Sequence, residues 1–206
     1  MKLIPSRQRV TARLISPPMC TPQVRRLPGL EGIWVFVGLD MMIFALLFGS
    51  FMVERLKNPD TFEASRQALN LHFGGGNTLI LLTSSWCMVR AVQAARRRTA
   101  VGPWLAAALA SGIAFGISKI FEYMGKIQAG YTMLTNDFFM FYFALTGIHL
   151  LHVVAGCVAL AVFWTHARAG TYARDSNLVG IESMGIYWHM VDLLWIVLFP
   201  LLYLMR

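Results

Sequence analysis

Five apolar runs, each about 20 residues long and so matched to the hydrocarbon thickness of a bilayer, fill most of the chain beyond residue 30. They lie at residues 32–53, 76–95, 103–124, 138–165 and 184–205. No water is available inside a bilayer to satisfy backbone N–H and C=O groups. Segments of this length must therefore bond within themselves, as helices. The predicted fold class is all-α: a polytopic membrane protein built as a five transmembrane helix bundle. The composition agrees. Apolar residues make up 57% of the chain and charged residues only 14%, against about 45–50% and 25% in soluble domains. The second run carries the weakest signal, because Asn77, Thr83, Ser84, Ser85 and Arg90 fall inside it.

The net charge of +8 does not point to nucleic acid, because the basic residues stand beside the apolar runs. Counting them by side gives an orientation. With the N-terminus in the cytoplasm, twelve of the 18 Lys and Arg residues lie on the inner side and five on the outer, with Lys119 inside the third run. That asymmetry obeys the positive-inside rule. It predicts a cell-membrane protein with a cytoplasmic N-terminus and a C-terminus on the periplasmic side. Residues 1–30 hold five arginines, five prolines and no acid. Without an apolar stretch they do not resemble a secretory signal, and they read as a disordered basic cytoplasmic tail ahead of a membrane domain at 31–206. Between the first two runs, Asn58-Pro59-Asp60 marks a turn. Asp60 and Glu63 have capping-box spacing, predicting a short surface helix over 61–70. Cys20, Cys87 and Cys157 are scattered, with neither metal spacing nor the pattern of a disulfide framework.

Ionisable groups inside the runs cost about 2.5–3.5 kcal/mol each at the bilayer centre unless they find partners. Three helices carry them in stripes: Ser111, Phe115, Ser118 and Glu122; Leu145, His149, His152 and Gly156; Gly185, His189, Asp192 and Ile196. Asp40 stands alone on the first. Asp40 and Asp192 each lie eight residues from the same side, about 12 Å deep at 1.5 Å per residue, and His152 falls near that layer. The expectation is an interior cluster of Asp40, His149, His152, His189 and Asp192, with His189 and Asp192 reaching partners on other helices. A second expectation pairs Glu122 with Lys126 one turn on. Ala108, Gly112 and Gly116, four apart, predict a close helix contact. Three readings of the polar residues stand side by side: hydrogen bonds that hold the helices in register, a proton or lipid-headgroup role for Asp40 or Glu122, and a mononuclear metal site on His149, His152, His189 and Asp192. The third would make the chain an independent membrane metalloenzyme.

Three stretches taken together are more specific. "NTLILLTSS" (77–85), "TGIHLLHVVAG" (146–156) and "YWHMVDLLWIVLFPLLY" (187–203) occur in order on three helices. They resemble the heme-copper oxidase subunit III family, and the resemblance spans residues 30–206. Many members have seven helices, so it implies a five-helix form without the first two. Oxidase members usually carry a deep glutamate on the helix where this chain has Asp40, in "GIWVFVGLDMMIF". That variant, with "FEASRQALN" and "LLTSSWCMVRAVQAAR", looks most like the nitric oxide reductase accessory branch, NorE-type. The alternative is subunit III of an oxygen-reducing cytochrome c or quinol oxidase. Either way, the resemblance implies a non-catalytic subunit with no haem or copper of its own. Such a subunit packs against the catalytic subunit, binds phospholipid, and helps sustain proton uptake and turnover.

Overall fold

The computed structural model describes residues 28–170 and 178–205, so the expected tail at 1–30 lies almost wholly outside the described residues. Among these residues six α-helices follow in order: α1 (Glu31–Lys57), α2 (Pro59–Gln67), α3 (Leu71–Arg96), α4 (Gly102–Gln128), α5 (Asp137–Arg168) and α6 (Leu178–Phe199). A π-helical turn, Pro200–Leu204, continues α6. All but α2 are long and apolar enough to cross a membrane. The chain is a multi-pass membrane protein, and no strand occurs among the described residues.

Local chemistry sets the ends of the helices. Pro59 opens α2 at a position where no backbone N–H is needed. The side chains of Asn70 and Asn136 accept from the backbone N–H groups of His72 and Phe139, capping α3 and α5 at 3.0 Å each. Gly130 and Gly170, at φ of +85° and +79°, turn the chain out of α4 and α5 in the left-handed conformation that glycine adopts freely. Pro200 has no N–H to give to the helix. Its carbonyl accepts from Met205 N at 2.9 Å, widening the last turn. The expected surface helix exists, shifted to 59–67, but the capping box does not form. Asn58 is its N-cap without a side-chain bond, and Glu63 turns instead to Arg66.

Helix α6 is central and the most buried of the spans. It packs against α3, α5 and α1, and α4 lies across α3 and α5. Gly29 N and Leu30 N, ahead of α1, donate to Glu182 and Ser183 near the start of α6. Arg55, late in α1, donates to the Met205 carbonyl after α6. These contacts make α1 parallel to α6. Arg96 at the end of α3 pairs with Glu182 at 2.8 Å, so α3 runs antiparallel to it. The bundle therefore has a basic end, holding Arg96–Arg98 and Arg168, and an opposite end capped by α2. There Phe62 sits between Phe51 and Phe138, with ring centroids 5.4 and 5.6 Å away.

Trp188 is the keystone of the α4–α5–α6 contact. A Cβ on Gly156 would fall 2.6 Å from its ring, and one on Gly112 would fall 2.9 Å from it and 2.7 Å from Cys157 Sγ. The small-residue expectation holds at Ala108, which is fully buried, and at Gly112. It fails at Gly116, where a Cβ would meet nothing within 4 Å. The buried stripe of α4 is Leu105, Ala108, Gly112, Phe115, Lys119 and Glu122. That stripe is rotated from the expected one and puts Lys119 inside.

Candidate functional site

The polar interior falls into two groups at different depths. Toward the basic end, His152 on α5 is held at both ring nitrogens. Nδ1 lies 2.8 Å from the Ile148 carbonyl and Nε2 lies 3.0 Å from Asp40 Oδ1 on α1. A carbonyl can only accept, so Nδ1 carries a proton. The Nε2–Oδ1 contact then needs one further proton, on either the imidazole or the carboxyl. The pair is one proton shared between two groups, and it is neutral overall in either form. Tyr187 on α6 donates to the His152 carbonyl at 2.9 Å, fixing α6 beside this pair.

The rest of the expected cluster does not assemble around that pair. His189 bonds Ser85 on α3, at 2.7 Å from Nδ1. Asp192, although 3% exposed, makes no hydrogen bond among the described residues. It is therefore not the partner of a histidine. The α3–α6 seam at this level is closed by a serine and a tryptophan: Trp188 Nε1 donates to Ser84 Oγ at 2.9 Å, and Ser84 Oγ donates to the Ala108 carbonyl at 3.0 Å. His149 is completely buried, and among the described residues neither of its nitrogens is bonded. It packs between Phe115 and Trp195, at 5.6 and 5.3 Å between ring centroids. Shared depth brought these residues to one layer, but rotation about the helix axes points them at different neighbours. His149, His152 and His189 do not converge, and among the described residues no group of three or more His, Cys, Asp or Glu could hold a metal ion.

Toward the α2 end lies a group that sequence reasoning missed. Lys119 is fully buried, with its Nζ 2.8 Å from Glu122 Oε2 and 3.4 Å from the hydroxyls of Tyr142 and Tyr203. Tyr203 in turn donates to Glu122 Oε1 at 2.5 Å. The ammonium also faces the rings of Tyr123, Tyr142, Trp195 and Tyr203, at 5.1 to 5.9 Å from their centroids. Tyr123 pairs with Thr146 at 2.6 Å. The expected Glu122–Lys126 pair does not form, because Glu122 is taken by Lys119, and Lys126 donates to the Ala68 carbonyl. The signal was present in the sequence: Lys119 continues the three-and-four spacing of Phe115 and Glu122. Three helical elements meet at this ion pair, which gives it the means to lock a bundle.

On the surface of that end, outside the spans, Arg66 donates to both oxygens of Glu63, at 2.5 and 3.1 Å, and to the Tyr203 carbonyl at 3.2 Å. The Arg66 hydrogen bonds hold the Glu63 carboxyl below the ordinary glutamate range. The pair ties α2 to the C-terminal turn.

Comparison with known proteins agrees with the resemblance at family level. The family model for cytochrome c oxidase subunit III matches residues 21–206. A cytochrome c oxidase subunit 3 of Synechocystis sp. is 35% identical over 177 residues, covering 84% of this chain and 74% of that protein. A cytochrome c oxidase subunit 3 of Thermostichus vulcanus is 31% identical over 179 residues, covering 84% and 86%. A probable cytochrome c oxidase subunit 3 of Mycobacterium tuberculosis is 27% identical over 177 residues, covering 85% and 87%. The expected nitric oxide reductase branch finds no support in these relatives, which are named as oxidase subunits.

Proposed function

Because the chain belongs to the cytochrome c oxidase subunit III family, we propose that it is the non-catalytic subunit III of an oxygen-reducing heme-copper oxidase in a bacterial cell membrane. One observation carries the reading: a relative named cytochrome c oxidase subunit 3 matches 84% of the chain at 35% identity. The interior is consistent with it, since its paired polar groups, Asp40 with His152 and Lys119 with Glu122, are committed to one another. Residues 31–206 form the membrane domain and 1–30 a cytoplasmic tail. The basic end faces the cytoplasm and the α2 end the periplasm, an orientation supported by the Lys and Arg asymmetry. The partner is the catalytic subunit, which holds the redox centres. This chain supplies a scaffold, bound phospholipid, and support for proton uptake through the Asp40–His152 region.

A nitric oxide reductase partner is the second reading, favoured by the aspartate at position 40 and the stretches "FEASRQALN" and "LLTSSWCMVRAVQAAR". Deleting the reading frame and assaying membranes with each gas separates the two. Lower oxygen consumption with unchanged nitric oxide consumption supports the oxidase reading, and the reverse pattern supports the reductase.

A further inference from the structure

Three consecutive glycines, Gly74, Gly75 and Gly76, stand near the α2 end of α3. Glycine weakens a helix interior relative to alanine, so each needs a reason. Gly74 has one: a Cβ there would fall 2.6 Å from the Phe199 ring. Gly75 and Gly76 have none inside the chain, because a Cβ on either meets nothing within 4 Å. Gly76 instead lines an open space of about 260 Å³ between α3 and α4, shared with His72, Phe73, Asn77 and Ser118. At Ile80 that space meets a second, mainly apolar one of about 420 Å³, walled by Thr83 of α3 and by Ser111 and Ala114 of α4. Ser111, Ala114 and Ser118 follow one another at three-and-four spacing, so small side chains keep this seam open along one face of α4.

Asn77 brings an unpaired donor to this groove. The residue is 1% exposed, and its Nδ2 has no hydrogen-bond partner among the described residues. A buried N–H left in that condition is unfavourable. Asn77 lies six residues into α3, about 9 Å from its end at 1.5 Å per residue, and so within the hydrocarbon. Phe73, 44% exposed, stands one turn away on the same face of the helix and lines the same space. No Lys, Arg, Asp or Glu among the described residues lines either part of the groove.

We propose that the α3–α4 groove binds one isoprenoid quinone, a carbonyl of its ring accepting from Asn77 Nδ2, the ring against Phe73 and the tail laid past Ile80 toward Thr83 and Ala114. Each part of the ligand answers a part of the groove. An unpaired N–H in hydrocarbon needs an acceptor that is itself soluble there, and a quinone carbonyl is one. Walls without a charged side chain turn away a phosphate or ammonium head, which is costly to bury without a counter-charge. A flat ring suits an aromatic neighbour, and a mainly apolar channel with few polar groups suits a polyprenyl tail. The site goes beyond the subunit role proposed above and does not depend on which gas the partner reduces.

The test photolabels the full-length chain in phosphatidylcholine vesicles with an azido-ubiquinone, alone or against excess decylubiquinone, phosphatidylglycerol or squalene, and identifies the labelled peptides. Saturable labelling within 72–83 and 111–118 is expected. Decylubiquinone should displace it, and the phospholipid and the isoprenoid hydrocarbon should not. Asn77→Leu, which removes the donor, should raise the half-saturating concentration about tenfold, the loss of one hydrogen bond. Gly76→Leu, which fills the groove, should abolish labelling at 72–83. Its thermal midpoint should stay the same or rise, because its Cβ meets nothing and leucine favours helix over glycine. Should Asn77→Leu fail to fold, Gly76→Leu decides alone. Undiminished labelling of either folded variant overturns the proposal. So does displacement by phosphatidylglycerol or squalene as effective as by decylubiquinone, which would make this a groove for any chain, or label scattered over all the spans.

Discussion

The Lys119 ammonium lies 2.8 Å from the Glu122 carboxylate, and neither side chain reaches the surface. A buried ion pair adds little over a well-packed apolar pair, but breaking it leaves a charge stranded, at about 3–5 kcal/mol. Lys119→Met should therefore lower stability by that order, measured as thermal unfolding in detergent or as the level of the protein in membranes. Lys119→Met with Glu122→Leu should recover most of the loss. A single variant as stable as the double would mean that Tyr203 alone can hold the Glu122 carboxyl.

The shared proton between Asp40 and His152 makes a different forecast. Asn at position 40 can donate its N–H to a neutral Nε2, so Asp40→Asn should keep stability within about 1 kcal/mol, whereas Asp40→Ala should lose about 1–3 kcal/mol with the hydrogen bond. If the pair serves proton uptake by a partner enzyme, Asp40→Asn should lower turnover of the complex with its assembly intact. Unchanged turnover would make the pair structural only.

Trp188 provides a steric contrast between three glycines. Gly156→Ala and Gly112→Ala put a methyl 2.6 to 2.9 Å from neighbouring heavy atoms, and overpacking of that kind costs about 1–3 kcal/mol. Gly116→Ala meets nothing and should be neutral or slightly stabilising, since alanine favours helix by up to about 1 kcal/mol. Melting temperatures of the three purified variants check the order.

Acid should loosen α2 before it touches the bundle. Glu63 has a carboxyl depressed in the folded state by Arg66. Its contribution is thus complete above the ordinary glutamate value of 4.5 and is lost as pH falls through the depressed folded value. The pair is partly exposed, so the effect is modest. Hydrogen-exchange protection at Phe62 and Ser65, corrected for the intrinsic rate at each pH and followed from about pH 6 to pH 3, should fall toward the acid end in the native chain. Glu63→Gln should exchange faster throughout and lose that pH dependence.

The spans were legible because bilayer length and backbone satisfaction leave one solution, so 32–53 became Glu31–Lys57 and 138–165 became Asp137–Arg168. Layers were legible too: Asp40 does meet His152, from helices 112 residues apart in sequence. Rotation was not. Asp192 and His189 share a face of α6 and were expected to turn it toward Asp40, but α3 stands on that side and offers His189 the hydroxyl of Ser85. Spacing along one helix also misassigned Glu122, since i,i+4 from Lys126 and i,i+3 from Lys119 are equally open on paper. Burial of Lys119 by Tyr142 and Tyr203, which come from elements 23 and 84 residues away, decided between them.

In the function proposed above, these buried charges hold a scaffold whose electron chemistry belongs to a neighbour. Affinity purification of the tagged chain from native membranes in mild detergent, with haem spectra and subunit identification on the eluate, tests it most directly. The chain is expected to co-elute with a haem-bearing, oxygen-reducing catalytic subunit, while the same chain stripped of partners shows no haem absorption and no stoichiometric metal. A chain that elutes alone, or that keeps a haem or metal of its own after separation, would contradict it.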